Sequence, residues 1–429
     1  MIKKEVLKRV LRDFHLQESY SVLQRDIEIP IESGKIVTLV GVRRCGKTSI
    51  LYDIINKISS TADKTKVIFI NFEDERLDFS AKDLELILSA YSELYPDNKL
   101  SDCFFFFDEI QNVNGWEKFV RRVYDTVSKN IFITGSNSKL LSSEIATSLR
   151  GRTLTFEVFP LSFKEFLEFK NIDLDLHSSR QLAYIKNAMG EYLKCGGFPE
   201  AVRIDKKYIY KLIQEYFDVV LYKDLVERYG ITNTSALKFF LKRILASTTK
   251  QVSIHKIYNE LKSSGYKIGK NSLYQYMDYA KSVYLGDILQ RYDRSIVNRE
   301  MGEKKFYSID VGLNNALEYR FSDDVGKALE NVMFWELRRR SDGEIFYSRS
   351  NDSECDFVIM DRGRVADAMQ VCYDLTDYYT RRREIEGLLD ICKKCNLKSG
   401  SIITYDTEEE IYVDNIYIKI VPFYKYALQ

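Results

Sequence analysis

Short apolar runs alternate with amphipathic stretches through the first part of the chain. Ile36, Val37, Leu39 and Val40, and then the runs within 66–72, 102–107 and 130–134, are dense enough for buried strands. Between them Ile50, Leu51, Ile54, Ile55 and Ile58 recur at helical spacing, and similar patterns cover 82–95 and 116–128. Val6, Leu7, Val10 and Leu11 predict one more helix within residues 1–21. Strands and helices alternating at these lengths predict an α/β fold, with a parallel sheet covered by helices on both faces. From 163 to 229 the pattern is almost wholly helical and breaks at Gly196-Gly-Phe-Pro199. Helices are predicted again over 235–246, 253–263 and 271–283, with a turn at 265–269, followed by strands at 286–291 and 305–308. That is the outline of a helix-turn-helix with a wing. The C-terminal part returns to mixed α/β patterning. A helix is predicted at 325–340 and a strand through Glu354-Cys-Asp-Phe-Val-Ile, and a hairpin turn at Asp361-Arg-Gly-Arg364 leads to Gln370-Val-Cys372.

The length of 429 residues predicts two to four domains at about 150 residues each, and 45% apolar residues supply real cores. No run approaches the roughly 18 apolar residues of a membrane span. The first residues mix acid with base and lack a small-residue cleavage site, so the expectation is a cytoplasmic protein without a membrane partner. Seven cysteines at irregular spacing do not describe a disulfide framework. Cys392-Lys-Lys-Cys395, on a helical pattern without a second pair, reads as ordinary thiols, and His15, His177 and His255 are too scattered for a metal cluster. Net charge is +1, which by itself says nothing about nucleic acid. The distribution says more. Within 233–283, Lys238, Lys242, Arg243, Lys250, Lys256, Lys262, Lys267, Lys270 and Lys281 face only Glu260 and Asp278.

One stretch carries the most chemistry: Gly41, Val42, Arg43, Arg44, Cys45, Gly46, Lys47, Thr48 and Ser49 fit G-x-x-x-x-G-K-[ST] between a predicted strand and a predicted helix. Gly41 and Gly46 let the backbone curl until successive N–H groups point at one anion, at the positive end of the following helix. Lys47 then reaches the β- and γ-phosphates of ATP, and the Thr48 hydroxyl is placed to ligate Mg²⁺. The apolar strand Phe104-Phe-Phe-Phe ends in Asp108 and Glu109. Asp108 is a second Mg²⁺ ligand, and Glu109 is the base for a water attacking the γ-phosphate. Ile131-Phe-Ile-Thr-Gly-Ser-Asn137 repeats the design, so that Ser136 or Asn137 meets the γ-phosphate or the water; a plain strand-to-helix turn capped by Ser138 is the alternative. Leu149-Arg-Gly-Arg152 offers Arg150 and Arg152 to a neighbouring subunit's phosphates, which requires a homo-oligomer.

With Asn71-Phe-Glu-Asp-Glu-Arg-Leu77, Pro160-Leu-Ser-Phe-Lys-Glu-Phe166, Gly196-Gly-Phe-Pro199, Gln370-Val-Cys-Tyr373 and Ile402-Ile-Thr-Tyr405, the chain resembles prokaryotic AAA-type ATPases that carry a C-terminal restriction-endonuclease-like domain of unknown function. The resemblance runs nearly end to end. It implies Walker A at 41–48, Walker B at 104–109, a sensor near Ser136 and Asn137, and an arginine finger at Arg150 or Arg152. It also implies four parts: a P-loop core at 1–160, a helical lid at 161–230, a winged helix at 231–320 and a nuclease-like domain at 321–429. An active site of the nuclease class needs acids such as Glu330 and Asp356, followed by Glu-x-Lys. Here Gln370 and Cys372 stand in the last two places, so the expectation is a scaffold that has lost its metal site.

Two functions follow from these residues. The first is an Mg²⁺-dependent ATPase whose winged helix binds DNA through 233–283, with Lys270, Asn271, Tyr274 and Gln275 in the first turns of the recognition helix. The second is a slow nucleotide-gated switch whose tail binds a protein partner. A nuclease gated by ATP is a third, and Gln370 and Cys372 argue against it.

Overall fold

The structure is a computed structural model describing residues 3–136, 149–318, 325–341, 343–350 and 353–429, and the chain divides into two compact units. The first comprises 1–159 with 282–284. Its strands β1 (Ile36–Val40), β2 (Val67–Asn71), β3 (Phe104–Asp108), β4 (Ile131–Gly135) and β5 (Thr153–Glu157) form one sheet in the order β2-β3-β4-β1-β5, every pair parallel. Parallel strands covered on both faces bury every side chain, which is why β1 and β4, each apolar but for one threonine and the final Gly135 of β4, are buried throughout. β5 was not anticipated. Its Thr153-Leu-Thr-Phe-Glu pattern alternates and is only half-buried, as suits an edge strand. Helices α1 (Lys4–Leu16), α2 (Lys47–Ser59), α3 (Glu85–Leu94) and α4 (Trp116–Thr126) complete this unit among the described residues, each with a buried apolar stripe.

Register places the chemistry. Val40 pairs with Gly135, Phe107 with Ile133 and Asn71 with Asp108, so β1, β2, β3 and β4 end side by side. The residues that follow share one edge of the sheet.

The second unit comprises 160–281 and 285–429. It opens with helices α5 (Phe163–Phe169), α6 (Ser179–Cys195), α7 (Pro199–Arg203) and α8 (Ile209–Val219), the last continuing into a π-helical stretch Val220–Glu227. Ser162 and Glu165 cap α5 reciprocally. At the break before α7 the buried Asp310 carboxylate accepts the Gly197 N–H at 2.7 Å and the Gly312 N–H at 2.8 Å. A Cβ on Gly196, at φ +76°, would lie 1.8 Å from that carboxylate, so the glycine pair is where this anion touches the backbone.

Three helices follow, α9 (Thr234–Leu245), α10 (Ile254–Ser263) and α11 (Lys270–Ser282), and then the antiparallel hairpin β6 (Gly286–Arg291) and β7 (Lys304–Ser308). Bridges Thr248↔Phe306 and Gln251↔Lys305 bring the segment between α9 and α10 onto that hairpin. A short helix, α12 (Ile296–Met301), lies within the hairpin connection, where no helix was anticipated.

The remaining elements are α13 (Val311–Glu318), α14 (Val325–Arg340), β8 (Glu344–Arg349), β9 (Glu354–Asp361), β10 (Arg364–Val371), α15 (Tyr378–Cys395), β11 (Ser399–Thr404), β12 (Glu409–Val413), β13 (Ile416–Pro422) and α16 (Phe423–Ala427). Arg362 and Gly363 both take positive φ in the two-residue turn joining β9 to β10. Val358, Ala368, Leu388, Ile391, Ile402 and Ile418 belong to the core here. The sheet order is β12-β13-β11-β10-β9-β8-β6-β7, so the hairpin pattern at 286–308 and the C-terminal strands form one eight-stranded sheet. The join is the parallel pairing of Gln290 with Phe346 and of Arg291 with Tyr347.

Candidate functional site

The residues after the first unit's strands converge at the carboxyl edge of the sheet, beside the start of α2. Gly41 admits no other residue, since a Cβ there would lie 2.0 Å from the Val158 carbonyl oxygen. Gly46 takes φ +100° as it turns into α2. Arg25, which sequence reasoning left without a role, donates to the carbonyls of Cys45 at 2.7 Å and Phe159 at 2.9 Å and so braces the loop. Cys45 is buried and its thiol is pushed up by that burial. Arg43 pairs with Glu73 at 2.6 Å, Arg44 is exposed at φ +67°, and Val42 is buried. Ser49 is exposed on the first turn of α2.

Lys47 is 4% exposed. Its ammonium donates to the carbonyls of Gly41 at 3.0 Å and Val42 at 3.2 Å and lies 3.5 Å from Glu109. Burial disfavours the charge, but Glu109 and the other anions around it outweigh burial and hold the ammonium above its ordinary range.

Asp108 is buried and accepts hydroxyl hydrogen bonds from Thr48 at 3.0 Å and Thr134 at 2.6 Å. Burial nonetheless pushes its carboxyl up to about 6, against the lowering effect of the two hydroxyls and Lys47. Thr48 and Asp108, the two oxygen donors assigned to Mg²⁺, thus touch one another. A hydroxyl and a carboxylate side by side are the oxygen donors that this hard cation takes.

Glu109 takes φ +52°, in the left-handed region. Burial raises its carboxyl, but Lys47, the Gln111 amide and Arg43 together bring it below the ordinary range. Gln111 donates to Glu109 and, at 3.5 Å, to the Ser136 hydroxyl. The Glu109 N–H donates to Thr134 at 2.9 Å. Gln111 and Thr134 were missed. Each lies within two residues of a residue that sequence reading singled out, and that proximity was the available signal. Asn137 and Ser138 lie outside the described residues.

Arg150 and Arg152 stand elsewhere in this unit. The Ile36 N–H donates to the Arg152 carbonyl at 2.8 Å and Thr153 pairs with Ile36, so both arginines lie at the amino edge of the sheet, opposite the P-loop. Arg152 forks onto both oxygens of Asp125 at 2.9 and 3.2 Å. Arg150 is exposed at φ +50°.

The second unit holds a further polar cluster. Lys305 on β7, 3% exposed, lies 3.2 Å from Glu330 on α14, 3.1 Å from Asp356 on β9 and 2.7 Å from Glu354. Gln370 accepts the Asp356 N–H at 3.0 Å and donates to Glu384, while the Cys372 thiol turns to the Asp374 carbonyl. Cys372 supplies no ammonium, as expected. Lys305 brings one from another strand, and nothing local in its sequence announced it. Burial, and then Asp356, push the Glu330 carboxyl up to about 8.

A family described as an AAA domain matches residues 33–167, and one described as a domain of unknown function, DUF8612, matches residues 186–324. The uncharacterized protein MJ1544 of Methanocaldococcus jannaschii is 41% identical over 442 residues, an alignment spanning 100% of this chain and 96% of that relative. An uncharacterized protein of Haemophilus influenzae is 29% identical over 385 residues, spanning 89% of this chain and 92% of the relative. Among solved structures, the Walker-type ATPase PABY2304 of Pyrococcus abyssi is similar at 16% identity and a TM-score of 0.41, covering 74% of this chain and 96% of that one. Among the described residues no helix is long and apolar enough to cross a membrane.

Proposed function

Because the chain belongs to the family of the uncharacterized M. jannaschii protein MJ1544 and carries an AAA-type P-loop domain at residues 33–167, we propose that it binds ATP with Mg²⁺ and hydrolyses it, coupling the nucleotide state to a DNA-binding tail. The observation that carries the ATPase reading is the meeting of Lys47, Thr48, Asp108 and Glu109 at one sheet edge. The loop N–H groups and the Lys47 ammonium bind the phosphates. Thr48 and Asp108 would hold Mg²⁺, which neutralises phosphate charge when bound. Glu109, held ionised by its neighbours, accepts a proton from the attacking water, and Gln111 keeps its carboxylate oriented. Glu109→Gln should therefore bind ATP as tightly as the wild type while turnover falls about 10²-fold or more. Calorimetry beside a phosphate-release assay checks this. Unchanged turnover would remove Glu109 from the role of base.

The DNA reading rests on the winged-helix order of α9, α10, α11 and the hairpin. Three of its basic residues are occupied, Arg243 by Glu260, Lys238 by Asp218 and Lys281 by Asp287. Lys256, Lys262, Lys267 and Lys270 remain exposed, as do Asn271, Tyr274 and Gln275 on α11. One observation favours the protein-partner reading instead: on α12, Ile296, Val297 and Met301 are 69, 68 and 85% exposed, an apolar tip of a kind that marks protein contacts. Salt separates the two readings, since phosphate contacts release counterions and an apolar contact does not.

A further inference from the structure

The loop at 41–49 can cradle an anion only while its N–H groups turn inward, and that shape is strained. Arg44 takes φ +67° and Gly46 φ +100°, left-handed residues with Cys45 between them, and alternation of this kind makes successive N–H groups converge on one anion. Glycine adopts the conformation freely. At Arg44 it costs free energy, and a side-chain-bearing residue stays there only where its surroundings hold it.

Arg25 supplies the hold. One terminal nitrogen of its guanidinium donates to the Cys45 carbonyl at 2.7 Å and the other to the Phe159 carbonyl at 2.9 Å. In the planar trans peptide between Cys45 and Gly46 the carbonyl and the N–H point in opposite directions, so a donor that draws the oxygen out of the loop aims the Gly46 N–H into it. Phe159 is a firm anchor for the same fork. The Val158 N–H before it donates to the Val40 carbonyl at 2.7 Å, and the Val158 carbonyl is so close to Gly41 that a Cβ there would lie 2.0 Å away. The chain leaving β5 is thus fixed to the start of the loop by backbone contact and to its middle by Arg25. Lys47 also holds loop carbonyls, those of Gly41 and Val42, but its ammonium must leave them to reach the phosphates. The carbonyls that Arg25 holds take no part in binding phosphate, so its grip persists when ATP enters.

We propose, resting on the ATP reading above, that Arg25 is a positioning residue of the phosphate site, whose fork fixes the Cys45–Gly46 peptide plane and with it an N–H that ADP and ATP both need. Ground state and transition state lean on that N–H alike, so its loss should raise KM and spare kcat. The test is calorimetric titration of the full chain with ADP, beside phosphate release from ATP. Arg25→Ala should bind ADP about tenfold or more weakly and raise the KM for ATP by as much, while kcat stays within about threefold of wild type. Arg25 is half-buried, so millimolar methylguanidinium can enter the gap it leaves; that compound should recover most of the lost affinity, and methylammonium, which lacks the planar fork, should not. Arg25→Lys, which keeps the charge without the fork, gives the same reading should the first variant not fold. Unchanged ADP affinity and KM in a folded variant overturn the proposal. So does a fall in kcat at unchanged KM, the mark of a brace for the fold in general, and so does equal recovery by methylammonium, which would assign the effect to charge alone. A wild type that binds both nucleotides without hydrolysing ATP sinks the ATPase reading and leaves the role of Arg25 standing. Wild-type turnover beside an Arg25→Ala variant of unchanged affinity does the reverse, so the two readings fail separately.

Discussion

Asp108 and Glu109 are adjacent carboxylates with opposite electrostatics. Asp108 ends a buried strand with two hydroxyls for company, and burial dominates; Glu109 faces an ammonium and an amide. Two neighbouring carboxylates are thus pushed apart by their surroundings, the pattern by which sites give two acids different roles. The same physics gives a pH prediction at Glu330. Its folded value of about 8 lies above its ordinary value, so the folded state holds a proton that the unfolded chain has already lost. That contribution to stability is complete at low pH and is lost as pH rises toward 8. Glu330→Gln cannot lose it. Urea midpoints of the variant and the wild type should therefore lie close together near pH 4 and separate toward pH 8, with the variant the more stable. Curves that stay parallel would show that Lys305 keeps Glu330 ionised throughout.

At the scale of elements, legibility followed burial. β1 to β4 could be read because both faces are covered and most positions are apolar, and α14 appears at the bounds its pattern predicted. β5 could not, because a half-buried edge strand interleaves threonine and glutamate with its apolar residues and leaves Leu154 exposed, so no dense apolar run marks it. α12 escaped because its apolar residues face solvent, which helical periodicity does not foresee. The P-loop was legible as a local motif. Lys305 was not, because its partners Glu330 and Asp356 lie 25 and 51 residues away and only the fold unites them. α11 belongs to the legible class and carries its own prediction. Its first two turns present Lys270, Asn271, Tyr274 and Gln275 outward, with Lys267 exposed just before them. Lys267→Glu with Lys270→Glu should weaken duplex binding equally for all sequences and lower the salt slope by about one for each phosphate no longer neutralised. Asn271→Ala should change only sequence preference. Mobility shifts at two salt concentrations, with and without ATP, measure both, and salt-insensitive binding in every state would move the reading to the protein partner.

At the scale of the whole molecule, the question is whether one chain holds a complete ATPase site. Lys47, Thr48, Asp108 and Glu109 lie at the carboxyl edge of the first unit's sheet, whereas Arg150 and Arg152 lie at its amino edge, so neither arginine serves the nucleotide of its own chain. An arginine reaching phosphates from that edge must serve a second copy, and a head-to-tail arrangement of identical chains gives every copy both roles. The two arginines are not equivalent candidates. Arg152 is held by both oxygens of Asp125 and lies 6.0 Å from the Tyr124 ring, contacts that fix it to its own chain. Arg150, exposed beside it, is the better finger. Arg150→Ala should lower turnover about 10³-fold or more, the usual worth of such an arginine, with ATP binding kept. Arg152→Ala should cost far less. Mixing Arg150→Ala with Lys47→Ala should then restore activity, to roughly a quarter of wild type for random head-to-tail association in equal amounts, because each variant supplies what the other lacks. Phosphate release from the mixture, beside light scattering to fix the assembly, measures this. A strictly monomeric enzyme of full activity, or a mixture no better than its components, would return both arginines to the role of surface charge.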